Sequence, residues 1–298
     1  MSTLRLQHET GRAVTVLADE RVLCRYVYVS AEERKESPRP YFHPVNSLAG
    51  DTLTNFRPND HPWHHGLSFT LTNVSGWNFW GGPTCRREDG YKWREDHGEQ
   101  QHVAWTRCEA AGAAATLAHT LEWRTPTELF FREERTVTLT VNSAAAWTLR
   151  WRARVVNVSG RELSLGNPCS FGGLAGSHYT GLQFRGARAL LDDHGDAAIR
   201  LTAEGGEEGE KAVHGAAGRW MEWHGQLDGS LRRVTLRFEN PASPLRWFVR
   251  RGYPLAAFPV QVDQNLALAP GAALLSRHPG AVKPGAFVWR SVGHSIGG

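Results

Sequence analysis

The sequence predicts an all-β fold: a large antiparallel two-sheet β-sandwich, formed as a single domain over residues 1–298. Three observations predict it. Apolar and polar residues alternate with period 2 along most of the chain, turn-forming clusters separate the alternating runs, and no stretch keeps a helical repeat.

Taken in order, alternating segments fall at 13–17, 21–29 and 67–74. Leu117, His119, Leu121 and Trp123 then share one face, opposite Thr116, Thr120 and Glu122. Phe131, Val137, Leu139 and Val141 oppose Thr136, Thr138 and Thr140, and Trp147, Leu149, Trp151 and Val155 oppose Thr148, Arg150, Arg152 and Arg154. This is the pattern of strands buried on one side only. Further segments lie at 231–239, 245–250 and 264–277, punctuated by turns such as Asn157-Val158-Ser159-Gly160. The Ala-rich stretch 110–118 is broken by Gly112, so it reads as strand and turn. Segments 31–40 and 203–211 read as solvated loops. No fixed-period repeat is visible, which argues against a propeller.

Composition narrows the function. Apolar residues make up 41% and charged residues 21%, as in a globular chain, and a net charge of +4 is spread without a basic block, so no nucleic-acid partner is expected. The N-terminus lacks an apolar signal region and no run approaches the ~18 apolar residues of a membrane span, so a cytoplasmic protein without a membrane partner is expected. Cys24, Cys85, Cys108 and Cys169 are widely spaced and read as reduced thiols. Twelve tryptophans suit both a large sandwich core and flat platforms for sugar rings.

The chemistry concentrates in 41–82. His43 is followed by Asn59-Asp60-His61-Pro62-Trp63-His64-His65-Gly66 and then Gly76-Trp77-Asn78-Phe79-Trp80. Proline and glycine place these histidines on loops, where binding groups converge without disturbing a core. Three readings stand. His61, His64 and His65 could ligate a divalent metal, although their spacing is diagnostic of no particular site. They could perform acid–base work on a polyhydroxylated ligand, since imidazole both donates and accepts near neutral pH. Or they are loop histidines satisfied by backbone carbonyls. No cofactor is expected beyond the ion of the first reading.

Those runs, with Tyr179-Thr180-Gly181-Leu182-Gln183-Phe184-Arg185-Gly186 and Trp247-Phe248-Val249-Arg250, resemble the family labelled DUF6807, often called "PmoA-like" after a methane monooxygenase subunit. The similarity runs over most of the chain, and the double histidine after Asp-His-Pro is its most specific element. Gly66 departs from the pattern, since relatives commonly carry Arg there. The methane-oxygenase association is set aside, because that subunit is membrane-embedded and this chain has no segment able to span a bilayer. The resemblance implies instead a galactose-mutarotase-like supersandwich with a sugar, keto-sugar or glycoside as ligand. A fold alone does not fix a reaction.

The expected catalytic groups are His61, His65 and Glu133. The expected substrate-binding groups are His43, Asp60, Trp63, His64, Trp80, His102, Tyr179 and Arg185. Glu133 and Arg135 share parity with the apolar face of their strand. A charged pair there is costly in a closed core, so the strand end either lines a pocket or bulges outward. Anomerisation, epimerisation and elimination/hydration all need one acid and one base astride the ring, so an isomerase or a lyase/hydrolase is expected. A non-catalytic sugar-binding protein stays open as the alternative. Edge strands of sandwiches often pair, so a homodimer is expected.

Overall fold

The computed structural model describes residues 2–191, 194, 199–240 and 244–274, and residues 287–294 as backbone. Two eight-stranded sheets dominate. The first runs, in spatial order, Leu4–Glu9, Ala13–Ala18, Arg21–Val27, Tyr41–Val45, Leu67–Thr70, Gly181–Arg185, Leu255–Phe258 and Phe248–Arg250. The second runs Ile199–Ala203, Trp220–Gln226, Arg233–Glu239, Phe287–His294, Ala146–Asn157, Leu129–Val141, Ala114–Arg124 and Glu99–Ala111. Neighbouring strands pair antiparallel throughout.

Alternation decides which side chains face the other sheet. Leu117, Leu121, Trp123, Val137, Leu139, Trp147, Leu149, Trp151 and Val155 are all buried on the inner face of the second sheet. The first sheet answers with Val14, Val16, Tyr26, Phe42, Leu67, Phe69, Leu182 and Phe184. Rings meet across the gap: Phe42 stands edge-on to Trp151 at 5.9 Å and Phe69 to Trp123 at 5.8 Å. A contiguous apolar core running from Leu4 to Leu274 results.

Most predicted segments are strands. The Ala-rich stretch 110–118 is the turn of the hairpin joining Glu99–Ala111 to Ala114–Arg124. The loop predicted at 203–211 runs into a one-turn helix, Glu210–Val213. Of the strand predicted at 264–277, Leu266–Leu268 is strand, and 275–277 lie outside the described residues. Among the described residues no helix is long and apolar enough to cross a membrane.

The charged pair takes neither course expected for it. The register from Arg132↔Val156 to Thr136↔Arg152 is unbroken, so no bulge turns Glu133 or Arg135 outward. Both side chains are fully buried between the sheets. Arg135 grips Glu133 through two bonds of 2.6 and 2.8 Å, and Trp123 Nε1 donates to the same carboxylate at 2.8 Å. Arg135 also donates to Gln100 Oε1 and to the Tyr26 hydroxyl, and its guanidinium lies 4.7 Å from the Trp151 ring centre. Because a guanidinium only donates, the Tyr26 hydroxyl proton is left for His119 Nε2 at 2.8 Å. His119 Nδ1–H then donates to His102 Nδ1, also at 2.8 Å. Burial, with Arg135 nearby, holds the His119 ring well below the usual imidazole pKa. Glu133 and His102, expected at the ligand pocket, thus belong to an interior network. A buried ion pair is tolerated when its remaining polar atoms are also satisfied.

Candidate functional site

The site lies on the outer face of the first sheet. Cross-strand neighbours Tyr41, Ser68 and Gln183 point outward while Phe42, Leu67 and Phe184 point into the core. Outward residues of a sandwich normally meet water, yet Ser68, Thr70 and Gln183 are fully buried. Loops cover them. Thr70 donates to the Phe79 carbonyl, and Arg39 reaches Ser68 Oγ at 3.2 Å.

Arg39 comes from the stretch 31–40 that composition presents as a solvated loop. The structure corrects that expectation: Glu36, Ser37 and Arg39 are all buried. The guanidinium donates to the carbonyls of Glu36, Ser37, Trp80 and Trp63 at 2.8–3.0 Å. Four carbonyl oxygens on one rigid fork knit the Trp63 and Trp80 loops to the sheet. Glycine completes the fit. Gly82 has φ +73°, and a Cβ there would lie 2.3 Å from the Trp63 indole, so the ring rests directly on backbone.

Around this base a cavity of about 320 Å³ opens, lined by His61, Trp63, His64, Trp80, Tyr91 and Tyr179 among others. Two tight turns shape its histidine edge, with the His61 N–H on the Pro58 carbonyl and the His64 N–H on the His61 carbonyl, both at 2.9 Å. The rings of His61 and His64 stack at 4.7 Å with an 18° interplanar angle.

Each ring has its tautomer set by a different neighbour. Asp60 Oδ2 lies 2.9 Å from His61 Nδ1; an ionised carboxylate only accepts, so Nδ1 carries the proton and Nε2 of the neutral ring is a base. Arg185 Nη1 lies 3.1 Å from His64 Nδ1; a guanidinium only donates, so His64 keeps its proton on Nε2. The second Arg185 nitrogen spans both oxygens of Asp60 at 3.1 and 2.9 Å. Arg185 therefore fixes His64 directly and His61 through Asp60. It is itself held over the Tyr253 ring at 4.9 Å, and Tyr253 bonds the Tyr179 hydroxyl on the cavity wall.

The electrostatics follow from burial and charge. Burial raises the Asp60 pKa, but the Arg185 and His61 hydrogen bonds outweigh it and hold the carboxyl down at about 2. His64 is held well below its ordinary value, first by burial, then by the charge the His61 ring carries when protonated and by Arg185. Its neutral form, with the proton on Nε2, is the one the folded site favours. The cavity thus presents one imidazole as an acceptor and another as a donor.

Sequence reasoning placed Asp60, His61, Trp63, His64, Trp80, Tyr179 and Arg185 together, and the structure brings all seven to this site. His65 and His43 are elsewhere. Successive residues of an extended segment point to opposite sides, and the bridge Phe56↔His65 makes this segment extended. His65 therefore faces Tyr41 and Phe56, with its ring donating from Nε2 to Glu36 at 3.2 Å. His43 stacks on Phe56 at 5.5 Å and bonds Thr54. The metal alternative loses its donor set with this split, since His61 and His64 face the cavity while His65 serves Glu36. Gly66 has a steric reason: at φ +48°, a Cβ would lie 2.1 Å from the Phe42 carbonyl oxygen, which leaves no room for arginine in this backbone.

The carboxylate beside a histidine of the pair is thus Glu36, clamped by Arg57 at 2.7 and 3.0 Å, and not Glu133. Glu36, Arg39, Tyr91 and Tyr253 were missed. The first two sit in a charged, proline-containing run, and no short-range pattern distinguishes them from surface residues. A larger depression of about 570 Å³ around Arg200, His224 and Arg233 shows no comparable convergence of groups.

Three fully buried rings make a pH prediction. His64, His65 and His119 are at most 1% exposed, and each pKa is lowered, to about 4 for His65. In each the first cause is burial. The unfolded chain protonates these rings below about pH 6.5 while the folded chain resists, so stability present at neutral pH is lost as pH falls from 6.5 toward 4. Each ring contributes a slope of up to about 1.4 kcal/mol per pH unit in that window. Urea unfolding at pH 7, 6 and 5 should show unfolding taking up two to three protons near pH 5. A flat profile over that range would mean that the rings are solvated.

Among curated proteins none matches the chain. The family of unknown function DUF6807 matches residues 13–289, which takes in every residue of the cavity and most of both sheets, and the chain belongs to that family.

Proposed function

We propose that the cavity is the active site of an enzyme that transfers protons on a sugar, keto-sugar or glycoside. One observation carries this reading: two stacked imidazoles at an aromatic-walled cavity, one held as a base by Asp60 and the other as a donor by Arg185. His61 Nε2 takes a proton from a substrate C–H or O–H, and His64 Nε2–H stabilises the oxygen on which negative charge gathers. The proton on His61 then returns to the substrate at another atom or face, so the enzyme ends unchanged. Anomerisation, epimerisation and elimination followed by hydration all run on this exchange. Trp63, Trp80 and Tyr179 offer faces and edges to a sugar ring.

Arg185 is a positioning residue here. Its donation to His64 Nδ1 polarises the ring and sharpens the opposite N–H as a donor. The four cysteines form no disulfide, which supports assignment to the cytoplasm.

A thermal-shift screen against aldoses, sugar acids, keto-glycosides and intact glycosides tests the reading. A ligand at about 100-fold its Kd stabilises the native state by about 2.7 kcal/mol, so a hit raises the melting midpoint visibly. The hit is then followed by NMR in deuterated buffer for exchange or turnover. Binding without either would make this a sugar-binding protein. No shift by any sugar class would overturn the carbohydrate reading.

A further inference from the structure

Behind one wall of the cavity, Cys169, His178 and Asp263 bring a sulfur, a ring nitrogen and a carboxylate oxygen within 4.8 Å of one another. We propose that these three residues form a binding site for a zinc-class transition-metal ion, separate from the His61–His64 pair and independent of the sugar reading.

The cluster is built from two segments that Asn167 sews together. Its Oδ1 accepts from the Cys169 and Ser170 amides at 2.9 Å, and its Nδ2 donates to the Gln261 and Val262 carbonyls at 3.0 and 2.9 Å. The Cys169 amide also reaches the Ser177 carbonyl at 3.0 Å. This lattice holds the thiol of the first segment beside Asp263 of the second.

The second observation is the histidine. His178 is 5% exposed, and its Nδ1 is buried without a hydrogen-bond partner. A neutral imidazole carries one N–H, so its other nitrogen is a lone pair open to a ligand. A buried imidazole nitrogen left unpaired costs free energy unless something outside the protein's own donors occupies it. A relay in which histidine activates the thiol as a nucleophile requires the ring to hydrogen-bond the sulfur. Nδ1 bonds nothing, so the geometry favours a metal.

The donor set selects the ion. Thiolate and imidazole exclude magnesium and calcium and suit zinc, with a fourth position left for water. Metal–ligand bonds of about 2.0–2.3 Å require the widest pair to close by on the order of 1 Å. Binding releases the thiol proton, and Asp263, whose Oδ2 also pairs with Arg246, has a second oxygen to offer. Pro168, Leu174, Ser177 and Tyr179 line the cavity from this same segment, so an ion here would brace that wall.

The test uses the full-length protein after chelation and dialysis, with zinc and cobalt as probes. One cobalt per chain should bind and give the near-ultraviolet thiolate-to-metal absorption, which Cys169→Ser abolishes. Cys169→Ser and His178→Gln should each weaken zinc binding at least tenfold. Should either variant fold poorly, alkylation of the wild type mapped by mass spectrometry decides. Zinc should protect Cys169 and leave Cys85 and Cys108 reactive. Absence of protection, a cobalt spectrum without thiolate absorption, or full zinc retention in both variants would each overturn the proposal.

Discussion

Arg135→Met should destabilise the protein by about 3–5 kcal/mol, the largest loss expected of any single substitution outside the aromatic core. Arg135 supplies both hydrogen bonds that balance Glu133 from the same strand, and it also anchors Gln100 and Tyr26. Methionine keeps much of the volume over Trp151 but leaves a fully buried carboxylate with only the Trp123 N–H for company. The double variant Glu133→Gln, Arg135→Met removes both charges and should recover a large part of the loss, as coupling between contacting groups requires. Urea unfolding of the wild type, both single variants and the double variant measures this. A single-variant loss below about 1 kcal/mol, with no recovery in the double, would mean that the pair is solvated and not part of the core.

His61→Gln should lower turnover of the sugar found by the ligand screen by about 10²–10⁴-fold, with the fold intact. The ring is partly exposed at the cavity and its main tie is to Asp60, so its loss leaves no unmatched group in the interior. Asp60→Asn should cost less, because the ring stays but its tautomer is no longer enforced. Arg185→Lys should lower kcat more than it raises KM, since a point charge cannot hold Asp60 and His64 together. The same split tests the correction at His65. If His65→Gln abolished turnover while His61→Gln did not, the chemistry would lie on the Glu36 side of the segment.

Much of the fold was legible in the sequence because strand alternation and turn chemistry are local. Trp147, Leu149, Trp151 and Val155 share a face by parity alone, and the structure buries that face. Part of the site was legible for the same reason, since Asp60, His61, Trp63 and His64 are neighbours on one pair of turns. The failures are of another kind. Glu133 was read as a pocket group because a charge on an apolar face looks intolerable, and its tolerance depends on Tyr26 and Gln100, 109 and 35 residues from Arg135 in sequence. The stretch holding Glu36 and Arg39 was read as solvent-facing because its composition is that of a surface.

By itself, then, the sequence determined the fold class, the inward faces of the strands Ala114–Arg124, Leu129–Val141 and Ala146–Asn157, and the loop on which His61 and His64 sit. These follow from periodicities of two to four residues. Only the tertiary structure decided that His64 and His65 part company, that Glu36 takes the place expected of Glu133, and that Arg185 reaches Asp60 across 125 residues. Such partnerships are set by which loops cover the outer face of a sheet and in what register. That depends on long-range packing, which residue spacing does not encode.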